Sequence, residues 1–410
     1  MKLSPTLITD PRRLVELRPA WEGLLARSSN DAIMLHPHWM LPWWDVFGSS
    51  GRRTLRSIAF FEGDHLVGFA PLVSRPHLYR PGIPFRRLET LASGEDRADE
   101  TCSDYLGIIA ERAREGELAS AFAEALSSGA CGGWDEILLP AMSGEGPLPV
   151  MLRDALLARG LYVSLKDSTS AAYVPLPKTW DAYLSALKPN KRSQLKKSLR
   201  TFEEWADGPP VIARVRFSSE LAEGKRILLA LHRERWSAEG SEGVFASPRF
   251  AAFHDRVMSE MFAAGMLDLG WLSVRGEPIA AFYNLRHAGK IYFYQSGRNL
   301  EVPAEVRVGV AMHAYLIRAA IEEGLREYDF LAGTSQYKMS LALATRPLVN
   351  LRAARPSAVE MARRTAERVI DGAKILRDHA RRGRPSAADP KPPRRPWSMS
   401  SMSTPELSAR

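Results

Sequence analysis

Residues 306–338, V-R-V-G-V-A-M-H-A-Y-L-I-R-A-A-I-E-E-G-L-R-E-Y-D-F-L-A-G-T-S-Q-Y-K, constrain the chain most, because they fix a helix, both its ends and the strand that follows. Apolar side chains at Val308, Ala311, Met312, Tyr315 and Ala319 recur at helical spacing, and Gly324 stands where a helix C-cap commonly falls. The helix opens on Gly309-Val310-Ala311. Residues this small let a ligand approach the N–H groups that a helix start leaves unpaired and partially positive. Leu325 to Leu331 then reads as a buried strand bounded by Gly333, with Asp329 set between Tyr328 and Phe330. A buried carboxylate needs a partner, and Lys338 or a nearby arginine could supply it.

The rest of the chain supplies elements to pack around this unit. Leu14, Leu17, Trp21, Leu24 and Leu25 mark an early amphipathic helix. His36 and His38 flank Pro37 in an aromatic stretch, M-L-H-P-H-W-M-L-P-W-W-D-V-F-G, and are expected on one side of an extended segment. No third metal ligand stands near them in sequence, so a packing or substrate-wall role is expected and no metal. Residues 54–74 read as a hairpin around Glu62-Gly63-Asp64-His65, and residues 267–285 as a second one. Leu66-Val67-Gly68-Phe69 is answered by Pro278-Ile279-Ala280-Ala281, and Trp134 to Leu139 by Glu327 to Leu331, in the same order. An ordered set of such matches indicates an internal duplication.

Between these repeats, Arg86-Arg87 and Asp104-Tyr105 lie in an irregular, Pro- and Gly-rich region within reach of a cleft, and residues 140–149 read as a surface loop. Residues 151–160 form a short helix closed by Gly160. The run K-P-N-K-R-S-Q-L-K-K-S-L-R places Arg192, Lys196, Lys197 and Arg200 on a basic helix, which is either a solvated face or, at Arg192, a phosphate contact. Residues 225–240 form a helix whose His232 is either a general base or a hydrogen-bonded core residue. Lys290 to Arg298 is an aromatic strand, with Tyr292, Tyr294 and Ser296 on one side and Ile291, Phe293 and Gln295 on the other.

Charge and cysteine content exclude several classes. Of the net charge of +9, residues 352–410 contribute 14 Lys or Arg against 6 Asp or Glu, so the body before them is nearly neutral and offers no broad nucleic-acid surface. No apolar run is long enough to span a bilayer, and the N-terminus lacks a secretory segment, so a cytoplasmic protein is expected. Cys102 and Cys131 form no CxxC pair and read as structural thiols.

The helix ending in Gly324, followed by Y-D-F-L-x-G-x-x-x-Y-K at Tyr328 to Lys338, resembles the acyl-CoA-binding half of GNAT-fold acyltransferases. Within them it is most similar to the CelD-like acetyltransferases of cellulose biosynthesis, relatives of the Fem peptidoglycan aminoacyl transferases. The L-H-x-x-R-W helix at His232 to Trp236 and the arginine at 192 are part of the likeness. In the family's phosphate loop a Gln or Arg precedes the small residues; here Val306 takes that place and Arg307 lies one position off.

The resemblance implies a mixed α/β fold of tandem GNAT-like domains, each a twisted mixed sheet flanked by helices. Residues 1–170 would be a degenerate partner domain, 171–352 the acyl-CoA-binding domain, 353–382 a basic amphipathic helix packed on the body or on a membrane, and 383–410 a disordered tail. It implies an acyl-CoA-dependent N- or O-acyltransferase, acetyl-CoA being the co-substrate, with a small-molecule or lipid-linked sugar acceptor of the cell envelope or an exopolysaccharide. An aminoacyl-tRNA-dependent transferase and a non-catalytic binding protein are the alternatives. Arg307, Val308, Gly309, Val310 and Ala311 would hold the cofactor; Asp329, His232, Tyr337 and Lys338 would serve the chemistry; Arg192, Trp236, Tyr294, Ser296 and Arg298 would contact substrate.

Overall fold

The computed structural model describes residues 3–238 and 240–382, with side chains described as far as residue 370. The first half runs β1 (Ser4–Ile8), α1 (Pro11–Glu16), α2 (Arg18–Arg27), α3 (Pro37–Phe47), β2 (Thr54–Leu55), β3 (Ser57–Glu62), β4 (His65–Ala70), β5 (Leu72–Tyr79), β6 (Ile83–Thr90), β7 (Ile109–Ala110), α4 (Glu115–Ser127), β8 (Glu136–Ser143), α5 (Leu148–Leu157) and β9 (Tyr162–Pro175). The second runs α6 (Trp180–Ala186), α7 (Pro189–Ala206), β10 (Val211–Arg214), α8 (Leu221–Ala238), α9 (Pro248–Ala263), β11 (Leu267–Val274), β12 (Glu277–His287), β13 (Lys290–Arg298), α10 (Val308–Glu322), β14 (Glu327–Ala332), α11 (Gln336–Leu341) and β15 (Ala344–Ala354). A last helix, α12 (Ala358–Arg382), follows.

The two halves repeat one plan. β3 and β4 pair antiparallel as β11 and β12 do, and α4 stands before β8 as α10 stands before β14. The matching sequence segments fall on β4 and β12, and on β8 and β14. β6, joined to β5 in an antiparallel hairpin, pairs in parallel with β8 as β13 does with β14. The last strand of each half crosses over: β9 lies against β14 and β15 against β8, while β9 and β15 pair antiparallel with each other from Tyr162↔Ala354 to Tyr173↔Ala344. Among the described residues this exchange yields one large sheet, β10-β11-β12-β13-β14-β9-β15-β8-β6-β5-β2, beside a smaller one, β1-β3-β4-β7. Residues from both halves therefore meet at the centre of the large sheet.

Local chemistry explains the helices that frame this centre. In α9, Ser247 caps the Phe250 N–H at 3.2 Å with Pro248 in the first turn, a cap worth about 1 kcal/mol. Its Phe253, Val257 and Met261 recur at helical spacing and are fully buried. Burial of each such side chain stabilises by about 1.5–3 kcal/mol. α10 buries Val308, Ala311, Met312, Leu316 and Ala320 against the sheet and ends before Gly324, whose φ of +71° suits glycine.

Two local expectations are corrected. His36 and His38 do not sit on an extended strand: Pro37 takes the first helical position of α3, where its fixed φ and missing N–H cost nothing, and His36 becomes the N-cap. Residues 140–149 are not all loop, because β8 continues to Ser143 in pairing with β15. α12 begins within the expected helical segment, and its Glu360 is held by Arg352 at 2.7 Å and Arg363 at 2.8 Å, which ties its start to the body. The expected tail, 383–410, lies outside the described residues.

Candidate active site

β13 and β14 pair in parallel only through Lys290↔Glu327, Ile291↔Tyr328 and Tyr292↔Asp329. Past that point β13 stays with β12 as far as Arg298, while β14 turns at Leu331, whose φ is +59°, and rejoins β9 at Ala332↔Ala171. The two strands splay, freeing one edge of β13. A bulge marks the same place, since the register skips from Tyr283↔Gln295 to Asn284↔Phe293.

The start of α10 offers the anion site that its small residues promise. Val310 and Ala311 N–H groups both turn to the Arg307 carbonyl, at 2.8 and 3.2 Å, and Val308 and Gly309 precede any intrahelical acceptor. A Cβ placed on Gly309 would meet nothing within 4 Å, so the backbone is open on that side. Arg307 is exposed with φ +52°, and its guanidinium donates to Ser198 Oγ of α7 at 3.4 Å. This contact sets the basic helix beside the α10 start. Arg192, half-buried in the first turn of α7, follows Lys191, whose Nζ donates to the Met339 carbonyl.

At the far side of the splay two side chains hold one peptide. Asp104 Oδ2 accepts the Ala332 N–H at 2.7 Å, and Lys338 Nζ donates to the Ala332 carbonyl at 2.6 Å and to that of Leu331 at 3.5 Å. Asp104 arrives from the first half, on the segment before β7. Burial pushes its carboxyl up to about 7, against the Ala332 N–H and the Lys338 charge that lower it. Burial likewise pushes Lys338 down to about 8, with Asp104 and Asp329 resisting. An acid and a base thus stand on adjoining atoms with affinities for protons near neutrality.

Asp329 lies just behind them and is fully buried. Its Oδ1 accepts the Leu331 N–H at 2.7 Å and its Oδ2 accepts the Tyr105 hydroxyl at 2.7 Å; Arg346 stands 3.8 Å away. Burial raises it to about 6. Its charge partner is Arg346, which also reaches Glu327 at 2.6 Å and stacks on Tyr173 at 3.8 Å; Lys338 bonds the backbone instead.

The remaining candidate residues fall into separate groups. Tyr337 stacks on His313 at 5.5 Å, and His313 bonds the Tyr328 hydroxyl at 3.0 Å, its ring pushed down to about 3 by burial and by the Lys338 and Arg235 charges. His232 is buried on α8, pushed down to about 4 by burial, with its ring against Phe245 and Trp236. Its Nε2 and the Trp236 Nε1 are buried without a hydrogen-bond partner among the described residues. Tyr294 is locked in the core: its hydroxyl donates to the Thr101 carbonyl at 2.7 Å and contacts His254 Nε2 at 2.9 Å. Ser296 is half-buried, and Arg298 is exposed at the strand end. Arg86 and Arg87 pair with Asp135 and Glu136, away from the splay.

Sequence reasoning placed Asp104 and Tyr105 only within reach of a cleft and missed Arg346 and Glu327. The signal for Asp104 and Tyr105 was a carboxylate beside a phenol in a region otherwise built of turns. Arg346 carries no local signal, since it meets Asp329 only through the exchanged strand β15.

A cavity of about 270 Å³ opens behind Asp329, lined among others by Tyr105, Tyr292, Lys290, Arg346 and Glu115. It also touches Ala110 of β7 and Met142 of β8. The Tyr292 hydroxyl at its edge is buried without a hydrogen-bond partner among the described residues.

Comparison with known proteins agrees with this geometry. A family model described as an acetyltransferase (GNAT) domain matches residues 189–339. No curated protein matches the sequence. The fold is similar to the crystal structure of FemX, with a TM-score of 0.56 at 10% identity, covering 85% of this chain and 96% of that one. It is also similar to a conserved protein of unknown function from Bacteroides thetaiotaomicron, at 0.51 and 11% identity over 86% and 99% of the two chains. A third likeness, at 0.50 and 10% identity over 85% and 94%, is to the C-terminal DUF2156 domain of a protein named as a lysylphosphatidylglycerol synthetase from Agrobacterium fabrum. Residues 189–339 thus match a GNAT acetyltransferase domain, which supports a transferase, within a mixed α/β fold similar to that of FemX.

Proposed function

We propose that the protein transfers an acyl group, acetyl in the first instance, from coenzyme A to a hydroxyl or amine of a sugar or cell-envelope precursor by direct attack on the thioester. The observation that carries this reading is the Ala332 peptide, held by Asp104 and Lys338 at the mouth of the β13/β14 splay. The donor's diphosphate would lie at the α10 start, Val308 to Ala311, on the N–H groups of Val308 and Gly309 that lack an intrahelical acceptor, and its pantetheine arm along the free edge of β13. The acceptor's X–H would attack the thioester carbonyl, forming C–X and breaking C–S. Its proton passes to Asp104, and the departing thiolate takes one from Lys338, whose charge first steadies the oxyanion. Asp329 and Tyr105 act as positioning residues that keep the end of β14 bent outward. Cys102, whose thiol burial holds well above its ordinary value, stays protonated and is not needed as a nucleophile.

Residues 1–170 then serve as the partner domain and 171–352 as the donor-binding domain, with the acceptor entering from the cavity lined by Tyr105, Lys290 and Arg346. The CelD-like likeness favours an exopolysaccharide or cellulose precursor. A second reading, an aminoacyl-tRNA donor, is favoured by one observation: Lys196, Lys197 and Arg200 are exposed on α7, the helix that Arg307 links to the α10 start.

Release of free thiol from acetyl-CoA, followed in the presence of phosphorylated and amino sugars, tests the proposal with Lys338→Met alongside. Acceptor-dependent release that falls at least about 100-fold in the variant is expected. Release independent of acceptor, or unchanged in Lys338→Met, would contradict it.

A further inference from the structure

His36 and His38 lacked further ligands in sequence, and the fold supplies them. With Pro37 opening α3, the His36 ring folds back over the first helical turn, its Nδ1 taking the His38 N–H at 3.3 Å, and stacks on the His38 ring at 4.9 Å and 17°. α2 packs alongside and brings Glu22. One ligand atom from each of Glu22, His36 and His38 lies within 4.8 Å of the others. The end of β12 brings His287, whose ring meets that of His36 at 5.3 Å and whose Nε2 is buried without a hydrogen-bond partner among the described residues.

His38 shows how the cluster is oriented. Its Nδ1 faces Glu260 at 2.9 Å, and its Nε2 faces Glu22 at 3.8 Å. The first is a hydrogen bond that places the ring proton on Nδ1 and leaves the Nε2 lone pair toward Glu22. The second is too long for a hydrogen bond. Two ligand bonds of about 2.0–2.1 Å place their atoms about 3.3 Å apart in a tetrahedral site and at most about 4 Å apart, so a shift of about half an ångström lets these two share an ion. A carboxylate behind a ligating histidine is the outer partner that fixes the imidazole tautomer in metal sites. Here Glu260 is itself braced by Arg18 at 3.3 Å. Ligation by His36 costs at most the long cap contact.

We propose that Glu22, His36 and His38 form a site for a divalent transition metal, zinc by its nitrogen and carboxylate donors, that ties α2 to α3. It holds α3 in position, and Trp39 on α3 packs on Tyr294 and Phe253.

The test uses the full chain, freed of any affinity tag and stripped with a chelator, titrated with zinc chloride against a chromophoric competitor, with thermal unfolding recorded in parallel. One zinc per chain and a raised Tm are expected. Binding at least about 100-fold weaker is expected in His38→Ala, and about 10- to 100-fold weaker in Glu260→Gln, which removes only the outer carboxylate. Glu22→Gln, at a partly exposed position that tolerates the exchange, should bind more weakly while folding as the parent does. A folded parent chain that binds no zinc at this stoichiometry, or Glu22→Gln and His38→Ala variants with unchanged affinity, would overturn the proposal.

Discussion

Replacing Asp104 by asparagine keeps its shape and its acceptor for the Ala332 N–H but removes the charge. Burial raises this carboxyl from 3.8 to about 7, so the folded protein penalises its ionised form. Between those values the unfolded chain has released the proton and the folded chain has kept it, so stability falls as pH rises through about 4 to 7. At 1.36 kcal/mol per unit, the cost present above pH 7 is on the order of 4 kcal/mol. The Asp104→Asn variant escapes that cost and gives up a hydrogen bond to a charged acceptor, worth about 1.5–3 kcal/mol. It should therefore be as stable as the parent, or more so, at pH 8, while losing the proton acceptor. Loss of a general base lowers the rate about 10²–10⁴-fold, or about 3–5 kcal/mol in the barrier. Thermal unfolding at pH 5 and pH 8, with kcat measured on the same preparations, checks both halves. A parent whose stability does not fall across that range, or an Asp104→Asn enzyme of full activity, would refute the reasoning.

Further outcomes follow from the same contacts. The rate should rise with pH through about 7 as Asp104 ionises and fall through about 8 as Lys338 loses its proton, giving a narrow bell in kcat/KM, with the two limbs belonging to the coupled pair; a flat profile would exclude the assignment. Asp329→Ala should cost about 2–4 kcal/mol, because it leaves the buried Leu331 N–H and Tyr105 hydroxyl without their acceptor, whereas Asp329→Asn should fold and lose activity; denaturant titration and turnover separate the two. Gly297→Ala places a Cβ 2.3 Å from the His232 N and 2.4 Å from the Leu231 carbonyl carbon, so α8 must leave β13. A loss of at least about 3 kcal/mol is expected, and a variant as stable as the parent would show that α8 packs elsewhere.

What the sequence revealed and what it hid divide by range of interaction. The duplication was legible because Leu66 to Phe69 and Pro278 to Ala281 occupy equivalent strands, and the α10–β14 unit because helical period, Gly324 and the aromatic strand are local signals. The exchange of β9 and β15 was not legible. It depends on which edges remain unpaired after both halves fold, and with it went the partnership of Arg346 and Asp329. Asp104 was hidden for the same reason: a carboxylate in a turn-rich segment reads as solvated until the other half closes over it. His36 and His38 were misread as extended because Pro37 restrains its neighbour toward β geometry, and the N-cap of a helix satisfies that restraint equally well.

The central claim, an acyl-CoA donor at the α10 start, is tested most directly by calorimetric titration of the full chain with acetyl-CoA beside a Gly309→Glu variant. Open space around Gly309 lets the new side chain fit, and a carboxylate in the first turn of α10 favours the helix, so the variant folds. At about 6 Å from a doubly charged diphosphate it costs about 1.4 kcal/mol even at the permittivity of water, a tenfold loss, and more where water is excluded. A dissociation constant on the order of micromolar in the parent, weakened at least about tenfold in the variant, is predicted. No binding by the folded parent, or equal binding by both proteins, would contradict the account.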